Sequence, residues 1–131
     1  CIYDEGRAVL EQGLAPFFPT VLQLKRYKDQ KFPKNKGLFE ANIILRKNCS
    51  SQIKLMDYWW KEYQHGSRRD QISLVYSSHK TGVEILSLGD SALRDGIDIF
   101  YLDLKKRKRK LTLQYLFNLF FNNLFIRILK L

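Results

Sequence analysis

Short apolar runs set between helical patterns predict a mixed α/β chain. Ala41–Arg46 (ANIILR) holds β-branched Ile43 and Ile44 in a run bounded by Gly37 and Asn48, the pattern of a buried strand. Val83–Leu88 (VEILSL) is a second run of the same kind, opening just after Gly82. The segments before, between and after these runs carry apolar residues at helical spacing.

In chain order, Tyr3–Gln12 reads as a short helix, with Asp4 and Glu5 in its first turn and Gly13 as its stop. Pro19 suits the first turn of a second helix, which carries Val21, Leu22, Leu24 and Tyr27 and ends near Gln30. Phe32–Gly37 has loop composition, and the ANIILR strand follows it. Ser50 or Ser51 then caps a helix to about Gln64, with Ile53, Met56, Trp60 and Tyr63 on one face, widened by Leu55 and Trp59. Gly66 is expected to stop it in the left-handed conformation. A helix from Asp70 to about Ser78 should bury Ile72, Leu74, and Val75 or Tyr76 before Gly82 ends it. Gly89–Asp98 is turn-rich, and Ile97–Leu104 alternates weakly, as an edge strand does. Leu111–Leu131 reads as one amphipathic helix, with Gln114, Asn118, Asn122 and Asn123 opposite its leucines and phenylalanines.

The chain has 131 residues, enough for one modest domain. Its formal charge of +10 is unevenly spread. Every acid lies at or before Asp103, and Lys105–Leu131 carries +8 of the total, six of it in the run Lys105–Lys110. The body is close to neutral, so an argument for nucleic acid would rest on the tail alone, and nucleic acid is disfavoured as a partner. Three asparagines, Gln114, Arg127 and Lys130 argue against a membrane-spanning helix. Peripheral membrane contact through 105–131 and docking on a partner domain both fit the tail. Cys1 and Cys49 have no metal spacing and are expected as free thiols. His65 and His79 stand fourteen apart with no carboxylate at ligand spacing, and no metal site is expected from them. There is no Gly-x-Gly-x-x-Gly, phosphate-loop or Gly-x-Ser-x-Gly motif to support nucleotide or serine hydrolysis.

The densest chemistry lies in Tyr58–Tyr76 (YWWKEYQHGSRRDQISLVY). Ser67, Arg68, Arg69, Asp70 and Gln71 bunch at one chain reversal, a grouping that suits a phosphorylated or polyhydroxylated ligand. The plainer alternative is that Asp70 caps its helix and the arginines are solvated. Trp59 and Trp60 cannot point the same way on a helix; one is core, and the other is open to a sugar, lipid or protein contact. Glu40 and Arg46 flank the ANIILR run, where they either bind sugar hydroxyls or are exposed strand-end charges. Asp4 and Glu5 either face a donor or complement the helix dipole.

Three stretches together resemble a known family: CIYDE at Cys1–Glu5, KFPKNKGLFEANIILRKN at Lys31–Asn48, and MDYWWKEYQHGSRRDQIS at Met56–Ser73. The family pattern looks like C-x-Y-D-E, F-P-x-x-x-G-L-x-E, an I-L-R strand, W-W-x-E and G-S-x-R-D-Q-x-S. It belongs to hexosyltransferases long described as a domain of unknown function, with plant members tied to cell-wall mucilage and bacterial members in polysaccharide clusters. The resemblance spans Cys1 to about Leu88. It implies a partial GT-A-like mixed sheet with flanking helices, to which the C-terminal amphipathic helix is an addition. It also implies a nucleotide-sugar donor, a glycan acceptor and a divalent metal, Mn or Mg. More distantly, the order of strand, helix and Asp-Gln looks like the glycogenin-like transferases, where that pair lies beside the transferred sugar. The resemblance therefore favours catalytic roles for Asp70 and Gln71, with Glu40, Arg46, Ser67, Arg68, Arg69, Asp4 and Glu5 as substrate-binding candidates.

The chain departs from that pattern in lacking an Asp-x-Asp motif. Asp95–Asp98 and Asp98–Asp103 have the wrong spacing. Residues 1–104 are thus expected to be the C-terminal, acceptor-side part of a transferase, weak or inactive alone, with 105–131 as a basic appendage. Bacterial members imply the cytoplasm or the cytoplasmic membrane face, and plant-type members the Golgi lumen. The rival reading is a non-catalytic binding module that uses its basic amphipathic tail on anionic membrane or nucleic acid.

Overall fold

A computed structural model describes residues 1–41, 43–87 and 112–129. Five helices account for the regular structure of these residues: α1 (Ile2–Glu11), α2 (Phe17–Asp29), α3 (Ser50–His65), α4 (Asp70–Thr81) and α5 (Leu113–Leu129). Helix α1 is the hub and packs against α2, α4 and α5, while α3 and α4 form the closest pair.

The expected mixed sheet is corrected by this arrangement, since no strand occurs among the described residues. A strand holds only when a neighbour pairs its N–H and C=O groups. Ala41–Arg46 and the described part of Val83–Leu88 have no such ladder. Their apolar side chains are not buried either, with Leu45 72% and Leu86 78% exposed. The Ile97–Leu104 strand, the turn-rich 89–98 segment, the two acidic pairs and the Lys105–Lys110 run lie outside the described residues.

The helices follow local chemistry. Buried Ile2, Gly6, Val9 and Leu10 give α1 one inward stripe. Gly13 ends it at φ 67°, bonding back to the Leu10 carbonyl. Pro16 caps α2, and Pro19 sits in its first turn, where the missing N–H is harmless. Phe17, Thr20, Gln23 and Tyr27 form its buried face. Helix α4 buries every residue from Ile72 to Ser77 and stops at left-handed Gly82. Its Tyr76 ring stacks on Tyr27, centroids 3.6 Å apart, and Phe32 meets Tyr76 edge-on. The Tyr3 hydroxyl donates to the Phe32 carbonyl and ties the start of the α2–α3 loop to α1.

Helix α5 docks on α1 through asparagines and on α2 through Phe125, which stacks on Phe17 with centroids 5.1 Å apart. The buried Asn122 amide donates to the carbonyls of Leu10 and Ala15, at 2.9 and 3.0 Å. Asn123 donates to the Glu11 carbonyl at 3.3 Å. The end of α1 presents carbonyls that its own turns do not fully use, and these asparagines supply donors. Gly13 permits the approach, because a Cβ there would lie 2.9 Å from the Leu119 backbone. Replacing Asn122 with Ala should therefore lower stability by about 1–3 kcal/mol, the usual loss when buried backbone acceptors lose their donor. Urea unfolding followed by circular dichroism measures it.

Candidate functional site

The four-residue turn Gly66–Arg69 joins α3 to α4 and carries Ser67, Arg68 and Arg69, with Asp70 and Gln71 following in the first turn of α4. Its position is set from α2. The Gln23 side-chain oxygen accepts from the Ser67 N–H at 2.8 Å, and its nitrogen donates to the Glu62 carbonyl and the Tyr27 hydroxyl. A Cβ on Gly66 would lie 2.2–2.3 Å from this amide. Gly66 is thus required by close approach, and its φ of −114° corrects the expected left-handed stop.

Next to the turn lies an ion pair between a buried carboxylate, Glu62, and an exposed guanidinium, Arg26. Arg26 meets Glu62 through two parallel contacts, at 2.8 and 2.6 Å, and Tyr27 donates to the same carboxylate at 2.7 Å. Burial pushes the Glu62 carboxyl up, but the hydrogen bonds from Arg26 and Tyr27 outweigh it and hold the group below the usual carboxylate range. Burial first, then the bond to Glu62, raises the Tyr27 phenol far above its ordinary value. The Glu62 bond likewise raises Arg26. Sequence reasoning missed this network as a site element. Glu62 stands on the same helical stripe as Leu55 and Trp59, an acid where an apolar residue is expected, and that was the available signal.

The ion pair also sets which face of α3 turns inward. Leu55 and Glu62 are buried, whereas Ile53 and Trp60 are 53% and 57% exposed, so the expected Ile53–Met56–Trp60–Tyr63 face is corrected by rotation. Trp59 donates to the Ser73 hydroxyl on α4, while Trp60 stacks parallel to Tyr63 at the surface.

At the turn, Ser67 is buried and its hydroxyl accepts from the Arg69 N–H. Arg68 adopts φ 56°, a left-handed conformation that a non-glycine residue rarely holds, and is exposed. Arg69 is the N-cap of α4, and its Nη2 lies 3.6 Å from Glu5 Oε1 on α1. Its Nε is buried without a hydrogen-bond partner. Asp70 is the first helical residue and makes no capping hydrogen bond, so the capping alternative does not describe it. Asp70 and Gln71 are both half-buried at the open end of the helix.

The structure thus gathers Glu5, Ser67, Arg69, Asp70 and Gln71 at one end of the α1–α4 pair, with Arg68 beside them. Asp4 points away, 84% exposed. Glu40 and Arg46 lie exposed on the α2–α3 loop. A cleft of about 440 Å³ opens next to the turn, lined by Pro16, Pro19, His65, Arg68, Gln114 and Asn118 among others. Of the expected site residues, only Arg68 lines it. His65 uses Nδ1 to donate to the Lys61 carbonyl, and His79 packs edge-on against Phe32. Among the described residues, no three of His, Cys, Asp and Glu converge as a site for a metal ion.

No family model, curated protein or solved structure matches the chain.

The depressed Glu62 pKa gives a signed pH dependence. An unfolded Glu titrates near ~4.3, above the folded value, so the stabilisation is fully present above that pH. It is lost as pH falls through the lower folded pKa. Glu62→Gln should lower stability at neutral pH by about 2 kcal/mol, the scale of a hydrogen bond to a charged group. It should also flatten the acid limb of thermal unfolding between neutral pH and pH ~3.

Proposed function

We propose that the chain acts in hexosyl transfer, with the sugar of a nucleotide-sugar donor facing Asp70 and Gln71 and a glycan as acceptor. One observation carries the reading. The CIYDE and GSRRDQ stretches, two parts of the family resemblance, meet in space through Glu5 and Arg69. Residues that share a pattern only because they share a fold need not converge. These meet at a turn that is rich in hydrogen-bonding groups and beside a cleft.

Transfer of a hexosyl group builds positive charge at the anomeric carbon and negative charge on the departing diphosphate. A carboxylate beside the ring stabilises the first, and arginine donors stabilise the second. Asp70, not consumed by a helix cap, supplies the carboxylate. The Gln71 amide donates to a hydroxyl or to the leaving oxygen. Arg69, 3.6 Å from Glu5 and partly exposed, offers its guanidinium to phosphate oxygens. Ser67 fixes the backbone on which these groups stand, and Arg68 brings a guanidinium to the mouth of the cleft.

Asp70→Asn preserves shape and removes the charge. In assays of labelled hexose transfer from nucleotide sugars, it should reduce kcat by about 10²-fold or more, the scale of a lost electrostatic group. Donor affinity should change much less. An unchanged transfer rate would exclude the role assigned to Asp70.

A further inference from the structure

Helix α5 meets the protein through its asparagines together with Leu119 and Phe125, the latter stacked on Phe17. Its asparagines face the protein, with Asn122 buried against Leu10 and Ala15. Its apolar stripe faces out. Leu113, Phe117, Phe120, Leu124 and Ile128 recur every three or four residues and are between 42% and 87% exposed. The helix cannot roll to hide this stripe without breaking the Asn122 bonds and leaving the close seat of Leu119 on Gly13. In sequence, the six cations Lys105–Lys110 end three residues before Leu113, and no acid follows Asp103.

From this we infer that α5 is an in-plane membrane contact selective for anionic lipid. Lipid matches both features together. The leucines and phenylalanines enter the boundary between headgroups and acyl chains, and the basic run meets anionic headgroups. A second copy of the chain or an apolar protein groove matches the stripe but leaves six cations unanswered. Nucleic acid matches the cations and leaves the stripe in water. The contact proposed is in-plane; no helix among the described residues is long and apolar enough to cross a membrane.

The test is flotation of the 131-residue chain with two vesicle types, equal parts phosphatidylglycerol and phosphatidylcholine, or phosphatidylcholine alone. Binding to the mixed vesicles is expected, weaker on phosphatidylcholine alone by about tenfold or more, as several near-surface cations imply. The double variant Phe117→Glu/Phe120→Glu should also lose about tenfold or more, with its helical circular dichroism unchanged. If that variant loses helicity, Leu113→Glu/Ile128→Glu at the two ends of the stripe is read the same way. Three outcomes would overturn the inference: vesicle binding that ignores either pair, a self-associated species that the glutamates dissociate while vesicles capture nothing, and retention on duplex DNA without vesicle binding.

Discussion

The contact between Arg26 and Glu62 is the constraint on which the rest of this structure depends. Two charges removed from water stabilise a fold only when geometry and added hydrogen bonds compensate their desolvation. Here the guanidinium is bidentate, Tyr27 supplies a third bond to the carboxylate, and Arg26 stays partly exposed, which limits the penalty. The pair selects which face of α3 turns inward, and so places the end of that helix against Gln23. Through Gln23 it also positions the turn that carries Ser67, Arg68 and Arg69. Apolar packing then completes the arrangement, with Tyr27 and Tyr76 stacked and Ile2, Val9, Ile72 and Val75 around them.

Helix limits were legible wherever the signal was local. Gly13, Pro19 and Gly82 act through their own backbone conformations and need no distant partner. The strands were not legible, because a short apolar run does not report whether another chain segment pairs with it or covers it. Ile44 and Leu45 read as buried and are exposed. The facing of α3 was lost for a related reason. Ile53 and Trp60 satisfy helical periodicity as well as Leu55 and Trp59 do, and the choice between stripes was made by an arginine on another helix. A pattern within one segment contains no such information.

The candidate site divides the same way. Ser67 through Gln71 are contiguous, and their bunching was visible in the sequence. The approach of Glu5 to Arg69 required the packing of α1 on α4 and was not. Asp4, the neighbour of Glu5, points to solvent because adjacent helical residues project about 100° apart. Glu40 and Arg46 were tied to a strand, and without it they stand exposed on the α2–α3 loop. Helix α5 was legible as an element, expected on a membrane surface or a partner domain. Its seat on α1 was not legible, because the carbonyls that Asn122 and Asn123 meet lie more than a hundred residues away in sequence.

The bonds around Gln23 have one further property, their direction. The Ser67 N–H donates to the Gln23 oxygen, the Gln23 nitrogen donates to the Tyr27 hydroxyl, and that hydroxyl donates to Glu62. Every dipole along the path points the same way, towards the anion. In a low-dielectric interior such a series polarises itself, each link strengthening the next. The Ser67 amide in the Gly66–Arg69 turn is thereby linked, through two α2 side chains, to the Glu62 carboxylate on α3. Protonation of Glu62 would remove the anion towards which that series of dipoles points.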